Sequence, residues 1–248
     1  MPSNARNHPS AGVCSIPSEP TILAIETAAA TCSVAVRRHA IVSAHASKAM
    51  VRGHAEALMP MVIQVLEQAG LDAAAIDLFA VGVGPGAFTG VRVGLAAARG
   101  MALAANRPCA GIGTLEAVAE GVPIEQRGNR PLLVAMDTRR GDLYVQLFGP
   151  AQADGGTPTA LPATALAEIL PQGPITVAGD AAEDVASRLR KAGRAVRFVA
   201  GTDHAGAVNV AAVAARRWLA GARFPAKPAP VYLRPPQATP APASCRQR

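Results

Sequence analysis

The chain has 248 residues, half of them hydrophobic, with aromatics at 3%, charged residues at 17% and a formal net charge of +7. That length can bury a full core as one large domain or two smaller ones, and the core must be built from Ala, Val, Leu and Ile. The basic residues are scattered, and two Tyr, five Phe and one Trp leave little material for stacking bases, which argues against an RNA-reading module despite the positive balance.

In chain order, residues 1–20 lack the apolar run of a secretory signal and read as a disordered extension. Thr21 to Glu26 is an apolar run ending in an acid, the pattern of a buried strand, and Cys32 to Arg37 and Ile41 to Ser47 follow as further strands. Arg52 to Ala69 has apolar residues at helical spacing (Leu58, Met61, Val62, Val65, Leu66), with Gly70 placed to end the helix. Pro60 inside it predicts a kink or restart. Ile76 to Val83 is the next strand. It runs into the glycine turn Gly84-Pro85-Gly86-Ala87-Phe88-Thr89-Gly90 and then into a helix to Ala105 whose only charges past Val91 are Arg92 and Arg99. That segment is too short to span a bilayer. Cys109 to Gly113 is a strand, and Thr114 is expected to cap the helix that follows.

The pattern then repeats. Leu132 to Thr138 echoes Ile22 to Thr27, an apolar strand ending in acid plus threonine, and Asp142 to Phe148 follows as Cys32 to Arg37 did. Ala151 to Pro162 reads as a loop. Helices at Ala163–Leu170, Ala181–Lys191 and Val208–Ala220 alternate with strands at Ile175–Ala178 and Val196–Val199. Residues 21–127 and 128–234 form two α/β halves with the mark of a duplication, and 235–248 is a Pro/Ala tail. Four cysteines (Cys14, Cys32, Cys109, Cys245) show neither C-x-x-C spacing nor a disulfide-dense pattern, which fits a reducing cytoplasm.

Two features could carry function. Acidic tips at the ends of matching strands could hold Mg²⁺, and amides of a glycine turn before a helix could hold phosphate. This gives a nucleotide site for ATP or ADP with Mg²⁺ built from Glu26, Thr27, Gly86, Asp137 and Thr138, although the turn has no lysine and is not a P-loop. The histidines show no metal-ligand spacing. The second feature is the excess of apolar surface on the two helices of the first half, which calls for a partner protein or a second copy. The residues expected at such an interface are His54, Leu58, Met61, Val62 and Val65 on the first helix, with Phe88, Val91, Arg92, Leu95, Ala98 and Arg99 on the second. Arg92 and Arg99, seven apart on one face, are placed to meet acids of a partner at its rim.

Leu23 to Thr27, His54 to Pro60, Gly84 to Gly94, Asp137 to Tyr144 and Pro230 to Arg234, in that order, resemble the bacterial TsaB (YeaZ) family. The G-P-G-x-F-T-G-x-R-x-G segment is the most specific part. The resemblance implies an actin/Hsp70-like (ASKHA) fold of two duplicated α/β subdomains with mixed sheets. It implies a non-catalytic partner role in making N6-threonylcarbamoyladenosine in tRNA, alongside a TsaD-like catalytic subunit and a TsaE-like ATPase. The family's protein interface uses the first two helices, here Arg52–Ala69 and Thr89–Ala105. The catalytic relatives carry an H-x-x-x-H motif near the position of Gly111 to Leu115, which this chain lacks, and Glu26 stands where actin-like ATPases have Asp. The alternative is a small-molecule kinase or ATPase that uses Glu26 and Asp137.

Overall fold

The computed structural model describes residues 19–150, 155–224 and 227–234; nearly all of the expected N-terminal extension and the whole of the 235–248 tail lie outside them. The first half runs β1 (Ile22–Glu26), β2 (Thr31–Arg38), β3 (Ile41–Ala49), α1 (His54–Ala69), β4 (Leu78–Gly82), α2 (Phe88–Ala104), β5 (Cys109–Ile112) and α3 (Thr114–Glu120). A short α4 (Ile124–Arg127) leads to β6 (Leu132–Asp137), β7 (Leu143–Phe148), β8 (Thr159–Leu161), α5 (Leu166–Ile169), β9 (Ile175–Ala178), α6 (Ala182–Lys191), β10 (Val196–Phe198) and α7 (Ala207–Leu219).

These strands form two five-stranded sheets, β3-β2-β1-β4-β5 and β8-β7-β6-β9-β10. Within each, the first strand pairs antiparallel with the second and parallel with the one that follows a helical crossover. The outer pairs repeat the pattern, antiparallel on one side and parallel on the other. Order and sense therefore match strand for strand, which is the duplicated actin/Hsp70-like arrangement. The central strands β1, β4 and β6 are buried on both faces, which is why they read as continuous apolar runs. β3 is an edge strand and alternates with mostly exposed side chains.

The layers stack as helix, sheet, helix, sheet, helix. α1 and α2 cover the outer face of the first sheet through Leu58, Val62, Val65, Val91 and Leu95. α3 and α7 lie between the sheets, where Ile22, Ala24, Leu78 and Ile112 from one and Leu132, Val134 and Phe148 from the other share a core with Val210, Ala211 and Ala214. α5 and α6 cover the outer face of the second sheet. α7 thus comes from the end of the chain yet packs on the first sheet, and its Ala207 N–H donates to Ser33 Oγ of β2 (2.9 Å). Glu116 and Glu120 of α3 hold it in place by pairing with Arg217 (2.6 Å) and Arg216 (3.3 Å).

Several local expectations are corrected. α1 runs unbroken through Pro60. Pro60 and Glu56, the residue whose carbonyl loses a donor, are both exposed, so water can replace the missing bond. Gly70 ends the helix as expected, in the left-handed region, with its N–H on Glu67 O and that of Leu71 on Leu66 O. Thr114 does not cap α3; it is the first helical residue, and Gly113 precedes it without a side-chain bond. Residues 163–169 form a 3₁₀ turn and a single helical turn instead of one helix. The 151–162 loop contains β8, and α4 has no counterpart in the sequence reading.

Arg127 at the end of α4 is a second surprise, because it is almost fully buried between the halves. Its guanidinium donates to the Val122 (3.2 Å) and Ala119 carbonyls at the end of α3, where a helix terminus favours a cation. Its own carbonyl accepts from Thr176 Oγ1 of β9 (3.0 Å), so the linker is tied to the end of α3 and to the second sheet.

Candidate functional site

The glycine turn follows β4, and its backbone rests on the turn after β1. A Cβ at Gly86 would overlap the Ala28 carbonyl, one at Gly90 the Thr27 carbonyl, and one at Gly94 the Thr27 hydroxyl. These glycines let two backbones touch. The contact is fixed by Thr27 Oγ1 donating to Gly90 O (2.8 Å) and Ala87 N–H donating to Ala28 O (2.7 Å). An amide and a hydroxyl that could have met a phosphate are therefore used inside the chain.

Glu26 is 0% exposed and lies over Gly82, where no side chain could fit beside it. Its Oε1 accepts the Ala28 N–H (2.6 Å), while Oε2 and the nearby Thr114 hydroxyl make no hydrogen bond of regular geometry. Burial pushes the Glu26 carboxyl up to about 7, against the lowering effect of the Ala28 and Thr27 amides and the Thr114 hydroxyl. A sealed carboxyl of this kind is not open to a nucleotide-bound Mg²⁺, so the residues at this end do not fit the expected metal.

The matching turn after β6 is polar and open. The Asp137 carboxylate accepts the Arg139 N–H (2.7 Å) and pairs with its guanidinium (3.5 Å), which also reaches Asp180 (3.6 Å). Asp180 in turn accepts the Asp137 N–H (2.8 Å), and burial, its largest influence, raises its pKa. The Thr138 hydroxyl bonds to Asp142, 2.9 Å from its carbonyl and 2.8 Å from Oδ1, and Arg234 pairs with the same carboxylate. Asp137 and Thr138 are thus engaged within their own half, as Glu26, Thr27 and Gly86 are within theirs. Among the described residues no group of three or more His, Cys, Asp and Glu is arranged to hold a metal ion. Burial pushes the Cys109 thiol up to about 11 despite the pull of Arg99, and burial raises Cys32 as well, so neither is an activated nucleophile.

The expected interface residues divide sharply. Leu58, Met61, Val62, Val65, Val91, Leu95 and Ala98 are buried in this chain's own core and cannot line a docking surface. His54 is also buried, as the first residue of α1 with Nε2 unpartnered among the described residues. Arg99 is half-buried. Phe88 and Arg92 remain outside. The outward apolar residues are instead Met59 and Ile63 (53% exposed) on α1, with Phe88 and Leu103 (83% exposed) on α2. Met59 and Ile63 are four apart, on one helical face. Both helices cross from the end of one strand to the start of another that is parallel to it, β3 to β4 and β4 to β5, so they run side by side in the same direction.

At the start of α2 the outward surface is organised by a strap formed by residues 227–234. Val231 N–H donates to Val83 O (2.8 Å), and Tyr232 lies against Phe88 with ring centroids 5.4 Å apart. Arg92 Nε donates to the Tyr232 hydroxyl (3.0 Å), and its guanidinium carbon sits 3.4 Å from the Phe88 ring centroid.

Duplicated sheets of this order, with the glycine turn packed on the first of them, define an actin/Hsp70-like protein. The family model of TsaD, tRNA N6-adenosine threonylcarbamoyltransferase, matches residues 45–169. The tRNA threonylcarbamoyladenosine biosynthesis protein TsaB of Escherichia coli is 41% identical over 123 residues, 50% of this chain and 52% of that relative. The match therefore spans about half that relative's length. A Mycobacterium tuberculosis protein of uncharacterised function is 34% identical over 222 residues, 89% of this chain and 94% of its own. Among solved structures, YeaZ from Pseudomonas aeruginosa superposes with a TM-score of 0.72 at 28% identity, over 86% of this chain and 100% of that one. The chain belongs to the TsaB (YeaZ) family.

Proposed function

We propose that this protein is a non-catalytic partner subunit in tRNA threonylcarbamoyladenosine biosynthesis, which docks the outer face of α1 and α2 on a TsaD-type catalytic subunit. The observation that carries the reading is the set of outward apolar side chains on two helices already packed against their own sheet, Met59, Ile63, Phe88 and Leu103. Large apolar groups gathered on one face mark an interaction site. The names of the relatives supply the pathway. The sealed Glu26 and the filled glycine turn support a supporting role over the kinase or ATPase reading, which needs an open carboxylate beside the phosphates.

The test is to mix the purified chain with the TsaD-type subunit of the same organism and measure complex mass by light scattering after gel filtration. A heterodimer is expected. Ile63→Asp should weaken it at least about tenfold, because an aspartate would be desolvated in the contact. Nucleoside mass spectrometry of tRNA from cells carrying only Ile63→Asp should show reduced N6-threonylcarbamoyladenosine. A full-strength complex with the Ile63→Asp variant would refute the docking face, and unchanged nucleoside levels in cells depleted of the protein would refute the pathway.

A further inference from the structure

We propose that Arg92 is the charged anchor of this docking face and that it receives a side-chain carboxylate of the partner subunit. This rests on the docking reading above and adds the chemistry of what docks. Arg92 is exposed on α2, one turn after Phe88, and its guanidinium lies on the Phe88 ring. Its Nε is taken by Tyr232, whose own position is set by the strap, through the Val231 to Val83 bond on one side and the Arg234 to Asp142 pair on the other. The guanidinium is therefore held in one place before any partner arrives, so little side-chain freedom is lost on binding.

What remains unused is the outer edge of the fork. Among the described residues the terminal nitrogens of Arg92 make no hydrogen bond or ion pair, whereas Arg107, Arg139, Arg216, Arg217 and Arg234 each pair with an acid of this chain. A planar pair of donors fits a carboxylate in two parallel bonds. A stacked arginine with apolar neighbours is the composition of an energetic hot spot, because the surrounding contacts exclude water from the ion pair. The rings of Phe88 and Tyr232 are those neighbours. Sequence spacing alone coupled Arg92 to Arg99; the structure separates them, since Arg99 is half-buried and has no aromatic cradle among the described residues.

Calorimetric titration of the full-length chain with the TsaD-type subunit, at 50 and 300 mM NaCl as chosen conditions (about 2.4-fold apart in Debye length), tests the anchor. Arg92→Gln should weaken binding about 30-fold at the lower salt and flatten the salt dependence, and Arg92→Glu should weaken it further. Arg92→Lys should lose about tenfold despite keeping the charge, because a lysine cannot form the fork. Tyr232→Phe should lose about threefold, since only the orienting bond is removed. All four variants should unfold within about 4 °C of the wild type, as expected for surface changes. If Arg92→Gln and Arg92→Glu bind like the wild type while Ile63→Asp does not, the face stands and the anchor is refuted. If the wild-type chain itself does not bind, the docking reading fails and the anchor fails with it.

Discussion

After β1 the chain turns with Glu26 and Thr27 fully buried, the acid pushed up to about 7 by burial and the hydroxyl bonded to the glycine turn. After β6, at the same place in the duplicated sheet, Asp137 and Thr138 sit partly exposed in a network with Arg139, Asp180 and Asp142. Strand order and pairing are the same on both sides. The difference comes from what lies above each turn. In the first half a helix preceded by glycines settles directly on the turn and excludes water. In the second half the turn meets water and the end of the strap instead. Fold symmetry therefore does not carry chemical symmetry, and the acid-threonine repeat marks shared ancestry of the strands more than a shared site.

The comparison breaks if the first turn tolerates bulk. Gly90→Ala should cost about 3 kcal/mol in urea unfolding, because the new methyl group must displace the Thr27 carbonyl against which the helix packs. An unchanged midpoint would show that the contact is loose.

It sharpens with pH. Glu26 in the folded chain titrates near 7, above its ordinary value of 4.5, so its contribution to stability is fully present below about pH 4.5 and is lost as pH rises through 7. Relative to Glu26→Gln, which can donate to Thr114 Oγ1 without a charge, the wild type should lose about 3 kcal/mol between those limits. Parallel stability curves for the two proteins would mean that Glu26 is solvated.

The second turn should respond weakly. Gly141 has φ +88° with open space around its Cβ position, so Gly141→Ala should cost about 1 kcal/mol, from backbone strain alone. Smallest of all is Asp137→Asn. It removes a largely exposed ion pair and should shift stability by less than about 1 kcal/mol at any pH above 5. A larger loss would place Asp137 on a par with Glu26 and erase the contrast.

The succession of elements and the duplication were legible because buried central strands are apolar throughout, so Ile22 to Thr27 and Leu132 to Thr138 announce themselves. The helix ending at Gly70 was legible for the same kind of reason, a glycine where a left-handed cap is needed. The outward apolar face was not. α1 and α2 carry more apolar residues than one face needs, and periodicity selects the strongest stripe, on α1 Leu58, Met61, Val62 and Val65, which the chain's own sheet claims first. The weaker stripe of Met59 and Ile63 is the one left outside. Nor does any local pattern show that Phe88 and Arg92 meet Tyr232, about 140 residues away in the chain. Arg127 was equally hidden, since a lone arginine in a polar stretch gives no sign that two carbonyls at and just past the end of α3 await it.

The position of α7 has a consequence for how the protein is made. The inner face of the first sheet, with Ile22, Ala24, Leu78 and Ala80, is complete early in synthesis, but the helix that covers it ends only at Leu219. Until that helix leaves the ribosome the nascent first half carries an open apolar sheet, the kind of surface that chaperones bind and that aggregates when left waiting. The first half consequently depends on the end of the chain for its inner core. A fragment ending before Ala207 should keep the outer cores under α1, α2 and α6 but lack the settled core between the sheets, however complete its strands.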